Sequence, residues 1–165
     1  MPAALESPAA KSKAAWLIAT FFGVGHLRPG PGTWASAITV LCWWGISHLV
    51  AGQLLIPVSI VAAILITVLG IPPSTIVARE SGQTDPGFVV IDEVAGQMIS
   101  LIGTPIAWKY LLASFILFRG FDIIKPFPLR RLERLSGGLG IMMDDVGAGI
   151  YALVLLQVWL HLTAR

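Results

Sequence analysis

Seven of the nine acidic residues in this 165-residue chain lie between Asp85 and Asp145, and four of them form two adjacent pairs, Asp92-Glu93 and Asp144-Asp145. Neighbouring carboxylates repel one another unless a cation or a basic group neutralises them, and oxygen ligands are what a hard cation such as Mg²⁺ prefers. Placement in the first turn of a helix, where acidic groups favour the macrodipole, accounts for one member of a pair better than for both. The repetition of the pair favours a shared metal ion. Asp85, in Asp85-Pro86-Gly87, precedes the first pair.

Two further motifs carry polar groups toward the same chemistry. In Phe118-Arg119-Gly120-Phe121-Asp122-Ile123-Ile124-Lys125-Pro126, helical spacing puts Arg119, Asp122 and Lys125 on one stripe, with Pro126 ending the helix. The stripe has two readings: Arg119 and Lys125 hold a phosphate while Asp122 turns to a metal, or Asp122 makes a structural ion pair. Gly30-Pro31-Gly32-Thr33 follows His26 and Arg28 and precedes an apolar run. Its glycines allow close approach of an anion to backbone amides, and Thr33 is a candidate helix cap; an ordinary loop and cap fit these residues equally well. Arg130, Arg131 and Arg134 read as a solvated or headgroup-facing run.

Other chemistries lack their residues. The single cysteine, Cys42, stands beside Trp43 and Trp44 without a basic neighbour, which excludes an intrachain disulfide and gives no activated thiol. There is no Gly-x-x-x-x-Gly-Lys-Ser/Thr loop, no Asp-x-Asp nucleophile motif and no distinguishable Ser-His-Asp set.

The elements that must position these groups are apolar. Hydrophobic residues make up 56% of the chain and charged ones 12%, with mean hydropathy +0.82; soluble domains are roughly 45–50% apolar. The net charge of +2 comes from few charges, and no basic stripe with interleaved aromatics suggests a nucleic acid. Residues 1–13 read as a flexible tail without a clean signal peptide, and 14–165 as one helical membrane-embedded domain. Apolar runs at about residues 34–51 and 54–71 match the roughly 17–25 residues of a spanning helix and predict a hairpin. A polar segment over 72–93 and a last helix over 146–162 follow from the same reading. The run over 94–118, broken by Gly103-Thr104-Pro105, is the ambiguous one. A full third span would put Asp92 and Asp145 on opposite sides of the membrane, so a bent or re-entrant pair is expected, with the basic residues on the cytoplasmic face; three simple spans with split loops are the alternative. A cation-coupled transporter is the alternative class, since it also places carboxylates beside broken helices.

At Pro29-Gly30-Pro31-Gly32-Thr33, Ile91-Asp92-Glu93-Val94-Ala95-Gly96, Phe118 to Pro128 and Gly140-Ile141-Met142-Met143-Asp144-Asp145-Val146-Gly147-Ala148-Gly149 the chain resembles the phosphatidylglycerophosphatase A family over roughly residues 14–160. The family's usual Ala-Pro-Gly-Thr stands here as Gly30-Pro31-Gly32-Thr33. The resemblance implies an all-α fold and Mg²⁺-dependent hydrolysis of the terminal phosphomonoester of phosphatidylglycerophosphate at the bacterial inner membrane. It implies Asp92, Glu93, Asp122, Asp144 and Asp145 as the catalytic and metal-binding carboxylates. Arg119, Lys125, Thr33 and Gly32 would serve the substrate. Nothing in the sequence fixes an oligomeric state.

Overall fold

The computed structural model describes residues 12–163, and these residues are all-helical, with no strand among them. In chain order the helices are α1 (Lys13–Ala19), α2 (Pro31–Ser47), α3 (Leu55–Ser81), α4 (Ile91–Ser100), α5 (Trp108–Ile124), α6 (Leu129–Leu132) and α7 (Gly138–Thr163). Ser12 caps α1, its side chain accepting from the Ala15 amide; the rest of the expected tail lies outside the described residues.

The short helix α4 is the centre of the molecule. Of its ten residues, nine are buried and Glu93 is half-buried, and α2, α3, α5 and α7 pack around it. Its sequence, Ile91-Asp92-Glu93-Val94-Ala95-Gly96-Gln97-Met98-Ile99-Ser100, explains how a polar-bearing helix can be enclosed. The carboxylates sit in the first turn, and lower down Gln97 Nε2 donates to Ser100 Oγ at 2.8 Å and to Ser114 Oγ of α5 at 3.2 Å, while Gln97 Oε1 is left without a partner.

The predicted hairpin is realised only as a connection. A tight link at Gly52–Leu54 joins α2 to α3, but each packs on α4 rather than along the other. The break at Gly103-Thr104-Pro105 does separate two helices, with Gly103 at φ +68°, and α5 returns so that Arg119 near its end stands beside Glu93 at the start of α4.

Two boundaries differ from the sequence reading. The second apolar run does not stop at residue 71; α3 continues through Pro72 and Pro73 to Ser81. Each proline removes a helical donor at a cost of about 3 kcal/mol. Packing of Pro73, Ser74, Val77 and Ala78 against α1, α4 and α7 outweighs the loss. The last helix begins at Gly138, two turns before the expected Val146. The Gly138 amide, an orphan donor at a helix start, is satisfied by Thr75 Oγ1 of α3 at 2.8 Å. Asp144 and Asp145 therefore stand inside a helix, not on the loop before it.

Two helical segments, Gly52–Ser81 and Gly138–Thr163, are long and apolar enough to cross a bilayer. The outer face of α3 leaves Ile56, Ile60, Ile64, Leu65, Val68 and Leu69 exposed, an apolar surface of a kind that water does not cover in stable monomers. Of the nine Lys and Arg residues among those described, only Lys109 lies at the end remote from the carboxylates.

Glu80 ties α1 to this frame. Its Oε1 accepts from the Ser12 amide at 3.0 Å and its Oε2 from Trp16 Nε1 at 2.6 Å. Glu80→Ala is therefore expected to loosen α1 while leaving the central bundle intact. Limited proteolysis should detect faster cleavage between α1 and α2 with little change in helical content; unchanged cleavage would show that apolar packing alone holds α1.

Candidate active site

The carboxylates meet because two helices cross at two glycines. A Cβ on Gly149 of α7 would run into the backbone of Gly96 of α4, so at this point the two backbones are in contact. Both helices start at the same end of the bundle. Asp92 is one helical turn before Gly96 and Asp145 one turn before Gly149, which brings the two side chains to the same level on facing surfaces. Sequence spacing alone, 92/96 and 145/149, carried this signal without revealing that the two glycines meet.

The result is a compact oxygen-donor set. One ligand atom each from Asp92, Glu93 and Asp145 lies within 4.8 Å of the others. Asp92 and Asp145 are 8% and 3% exposed, and Asp92 Oδ1, Glu93 Oε2 and Asp145 Oδ2 are buried without a hydrogen-bond partner. Buried polar atoms are nearly always paired, so three carboxylates this close, each with an oxygen lacking a partner, could together hold a cation. Both acids of this pair stand in the first turn of α4, where the macrodipole favours them, although no side chain caps the helix, whose N-cap is Val90.

The other two carboxylates of the expected set are held by cations. Asp122 Oδ2 is 2.6 Å from Arg119 Nη1, which is also 3.8 Å from Glu93 Oε1. Asp144 Oδ2 accepts from Lys125 Nζ at 2.7 Å, and Lys125 also binds Glu133. Asp122 faces Asp145, and Asp144 faces Asp85. The structure thus brings Asp92, Glu93 and Asp145 together, with Asp122 and Asp144 to either side, and gives Arg119 and Lys125 carboxylate partners. Glu133 was not singled out in the sequence; only its place within the basic run, eight residues from Lys125, hinted at this role.

At Gly30-Pro31-Gly32-Thr33 the cap is Gly30, in the left-handed region at φ +66°, and not Thr33. Thr33 is exposed at the third position of α2. A three-residue glycine-proline entry satisfies the helix start through the Thr33 amide to Gly30 carbonyl bond of 3.0 Å, leaving the threonine hydroxyl free for another contact. Gly32 is buried, and a Cβ there would collide with the Glu93 carboxylate. The anion that this glycine admits is the chain's own Glu93. His26 is exposed, stacked near Phe88 at 6.1 Å.

Burial alone would push the Lys125 ammonium to a lower pKa, but its bonds to Asp144 and Glu133 prevail and hold it above the ordinary lysine value. A raised lysine pKa contributes stability that is complete below the unfolded value and is lost only as pH rises through the folded one. Lys125→Met should therefore lower the melting temperature equally at neutral pH and at about pH 9, since both lie below the unfolded lysine value of about 10.4. Thermal melts at the two pH values check this; a penalty that shrinks by pH 9 would contradict it.

The family model for Phosphatidylglycerophosphatase A matches residues 17–160. The chain is 39% identical over 150 residues to Phosphatidylglycerophosphatase A of Haemophilus influenzae, covering 87% of this chain and 89% of the relative. It is 34% identical over 140 residues to the protein of the same name from Escherichia coli, covering 81% and 76%. A relative from Bacteroides thetaiotaomicron, named as a candidate phosphatidylinositol-3-phosphatase, is 37% identical over 145 residues, covering 86% and 91%. No solved structure matches the chain. With the match extending over all four motifs and the carboxylate cluster that they build, the chain belongs to the phosphatidylglycerophosphatase A family.

Proposed function

We propose that the protein is a lipid phosphatase that hydrolyses the terminal phosphomonoester of phosphatidylglycerophosphate, giving phosphatidylglycerol and inorganic phosphate. Family membership supports the reaction, and the observation that carries the chemistry is the set of orphaned oxygens on Asp92, Glu93 and Asp145. The transporter alternative draws no support from the relatives, which are named as phosphatases.

All-oxygen donors suit Mg²⁺, which Asp92, Glu93 and Asp145 would hold. When bound, the ion would neutralise phosphate charge and polarise an oxygen. The chain's own groups do the rest. Asp122, fixed by Arg119 at the rim of the cluster, is placed to orient a water and accept its proton as the water oxygen attacks phosphorus. The phosphorus–oxygen bond to glycerol breaks, and the departing oxygen takes up that proton to leave as the free alcohol. Phosphoryl transfer asks mainly for such positioning and charge neutralisation. Lys125 fixes Asp144 beside the reacting group.

In this reading α3 and α7 span the bacterial inner membrane, α4 enters it only part way, and α5 returns to the starting face. At about 1.5 Å per residue, the ten residues of α4 reach only about half of a roughly 30 Å hydrocarbon core. The basic residues at the carboxylate end support a cytoplasmic position for it. The lipid's acyl chains stay beside the exposed apolar faces. Purified protein in detergent should release phosphate from phosphatidylglycerophosphate in preference to phosphatidic acid, stop on chelation and resume with Mg²⁺. Absence of release from either lipid, with Mg²⁺ present, would refute the assignment.

A further inference from the structure

A basin of about 1180 Å³ opens beside the carboxylate cluster, between the end of α3, the α6 segment and the first turn of α7. Asp144 is on its wall and, as the chain neighbour of Asp145, leads from it toward the cluster. Three guanidinium groups line the same space, Arg79 from α3, and Arg130 and Arg134 from the α6 segment. None of the three forms an ion pair among the described residues, although Asp85 and Glu133 share the wall. Arg130 only donates weakly to the Ile124 carbonyl, at 3.4 Å. The two cations nearest the orphaned carboxylates, by contrast, are both paired with acidic groups. Cations available to an incoming anion are therefore in the basin, not on the Arg119–Lys125 stripe. The positive end of α7 opens on it as well, through Gly137 and Gly140.

From this arrangement we infer that Arg79, Arg130 and Arg134 form a second anion subsite, which binds the phosphodiester of a headgroup whose terminal phosphomonoester lies at the carboxylates. This rests on the phosphatase reading and deepens it by naming the residues that would bind the substrate's second phosphate. Guanidinium groups suit phosphate oxygens, to which they donate in pairs. The basin's hydroxyls and amide, Thr75, Thr84, Ser136 and Gln83, suit a polyol. A substrate with one phosphate would fill the carboxylate end and leave the arginines without a partner.

The test uses the full-length protein in neutral detergent micelles, which removes attraction to a charged bilayer. Arg130→Gln/Arg134→Gln is compared with wild type and with Arg131→Gln, whose guanidinium lies over Phe127 at 4.6 Å and not in the basin. The double variant should raise KM for phosphatidylglycerophosphate about tenfold or more, one phosphate contact being worth roughly that factor, while kcat changes less than about threefold. In the wild type, the deacylated headgroup carrying both phosphates should inhibit competitively about tenfold better than glycerol phosphate, and the double variant should lose that preference. Arg131→Gln should keep it. An unchanged KM, or equal weakening toward both inhibitors, would overturn the subsite, the latter pointing to general charge attraction. If wild-type protein released no phosphate at all, the phosphatase reading would fail and the subsite with it; release with unaltered preference in the double variant overturns the subsite alone.

Discussion

Asp92→Asn and Asp145→Asn are each expected to reduce kcat by at least about 10²-fold, the scale on which removal of one electrostatic group costs a preorganised site, while the metal-free protein becomes more stable. Both effects have one cause. The two carboxylates are buried, face one another and Glu93, and leave oxygens without partners. An amide keeps the side chain's shape, removes one charge from a mutually repelling group and adds a donor for a neighbouring carboxylate. Stability gained at the expense of activity is the pattern of a site held in an unfavourable state for its ligand. Melting curves with and without Mg²⁺, beside turnover, separate this from damage to the fold: wild type should gain stability from Mg²⁺ and the variants should not. A variant that melts lower without metal and keeps its turnover would show that these carboxylates are structural.

Gly149→Ala is the second large effect expected, from a single methyl group that changes no charge. That methyl would enter the backbone of Gly96, where no flexible side chain can move aside, so α7 must shift away from α4. Overpacking of this kind costs about 1–3 kcal/mol. The same shift separates Asp145 from Asp92, and displacement of a catalytic group by about 1 Å can cost 10²-fold in rate. Activity should therefore fall by about that factor in protein that remains helical, with weakened Mg²⁺ protection against thermal unfolding. Gly45→Ala, on the open face of α2 with nothing near its Cβ, is the matched control and should retain activity. Equal activity in Gly149→Ala and Gly45→Ala would show that the crossing does not set the site.

These two variants also mark where sequence reasoning succeeds and where it stops. The carboxylate pairs were legible because they are short motifs in an apolar chain, where each charge needs a reason. The break at Gly103-Thr104-Pro105 was legible because a straight third span would have divided the motifs between two sides, and α5 does return to place Arg119 beside Glu93. The continuation of α3 through Pro72-Pro73 was not legible, since local propensity argues against it and only packing against three other helices overrides it. The start of α7 at Gly138 likewise depends on Thr75, sixty-three residues away. The role of Gly32 was read with the wrong partner: a glycine beside a helix start suggested an incoming phosphate, and the space is taken by Glu93. The pairing of Arg119 with Asp122 was present as one of two readings of the stripe; the Lys125–Glu133 contact needed the turn at Pro126 to bring α6 back across the end of α5.

Direct binding of Mn²⁺, as a paramagnetic substitute for Mg²⁺, tests the central claim that Asp92, Glu93 and Asp145 form the metal centre, without relying on turnover. Electron paramagnetic resonance of the purified protein titrated with Mn²⁺ should show a saturable, protein-bound signal that Mg²⁺ displaces. The signal should be lost in Asp92→Asn and in Asp145→Asn and retained in Arg131→Gln. Binding of Mn²⁺ with wild-type affinity by both asparagine variants would contradict the assignment.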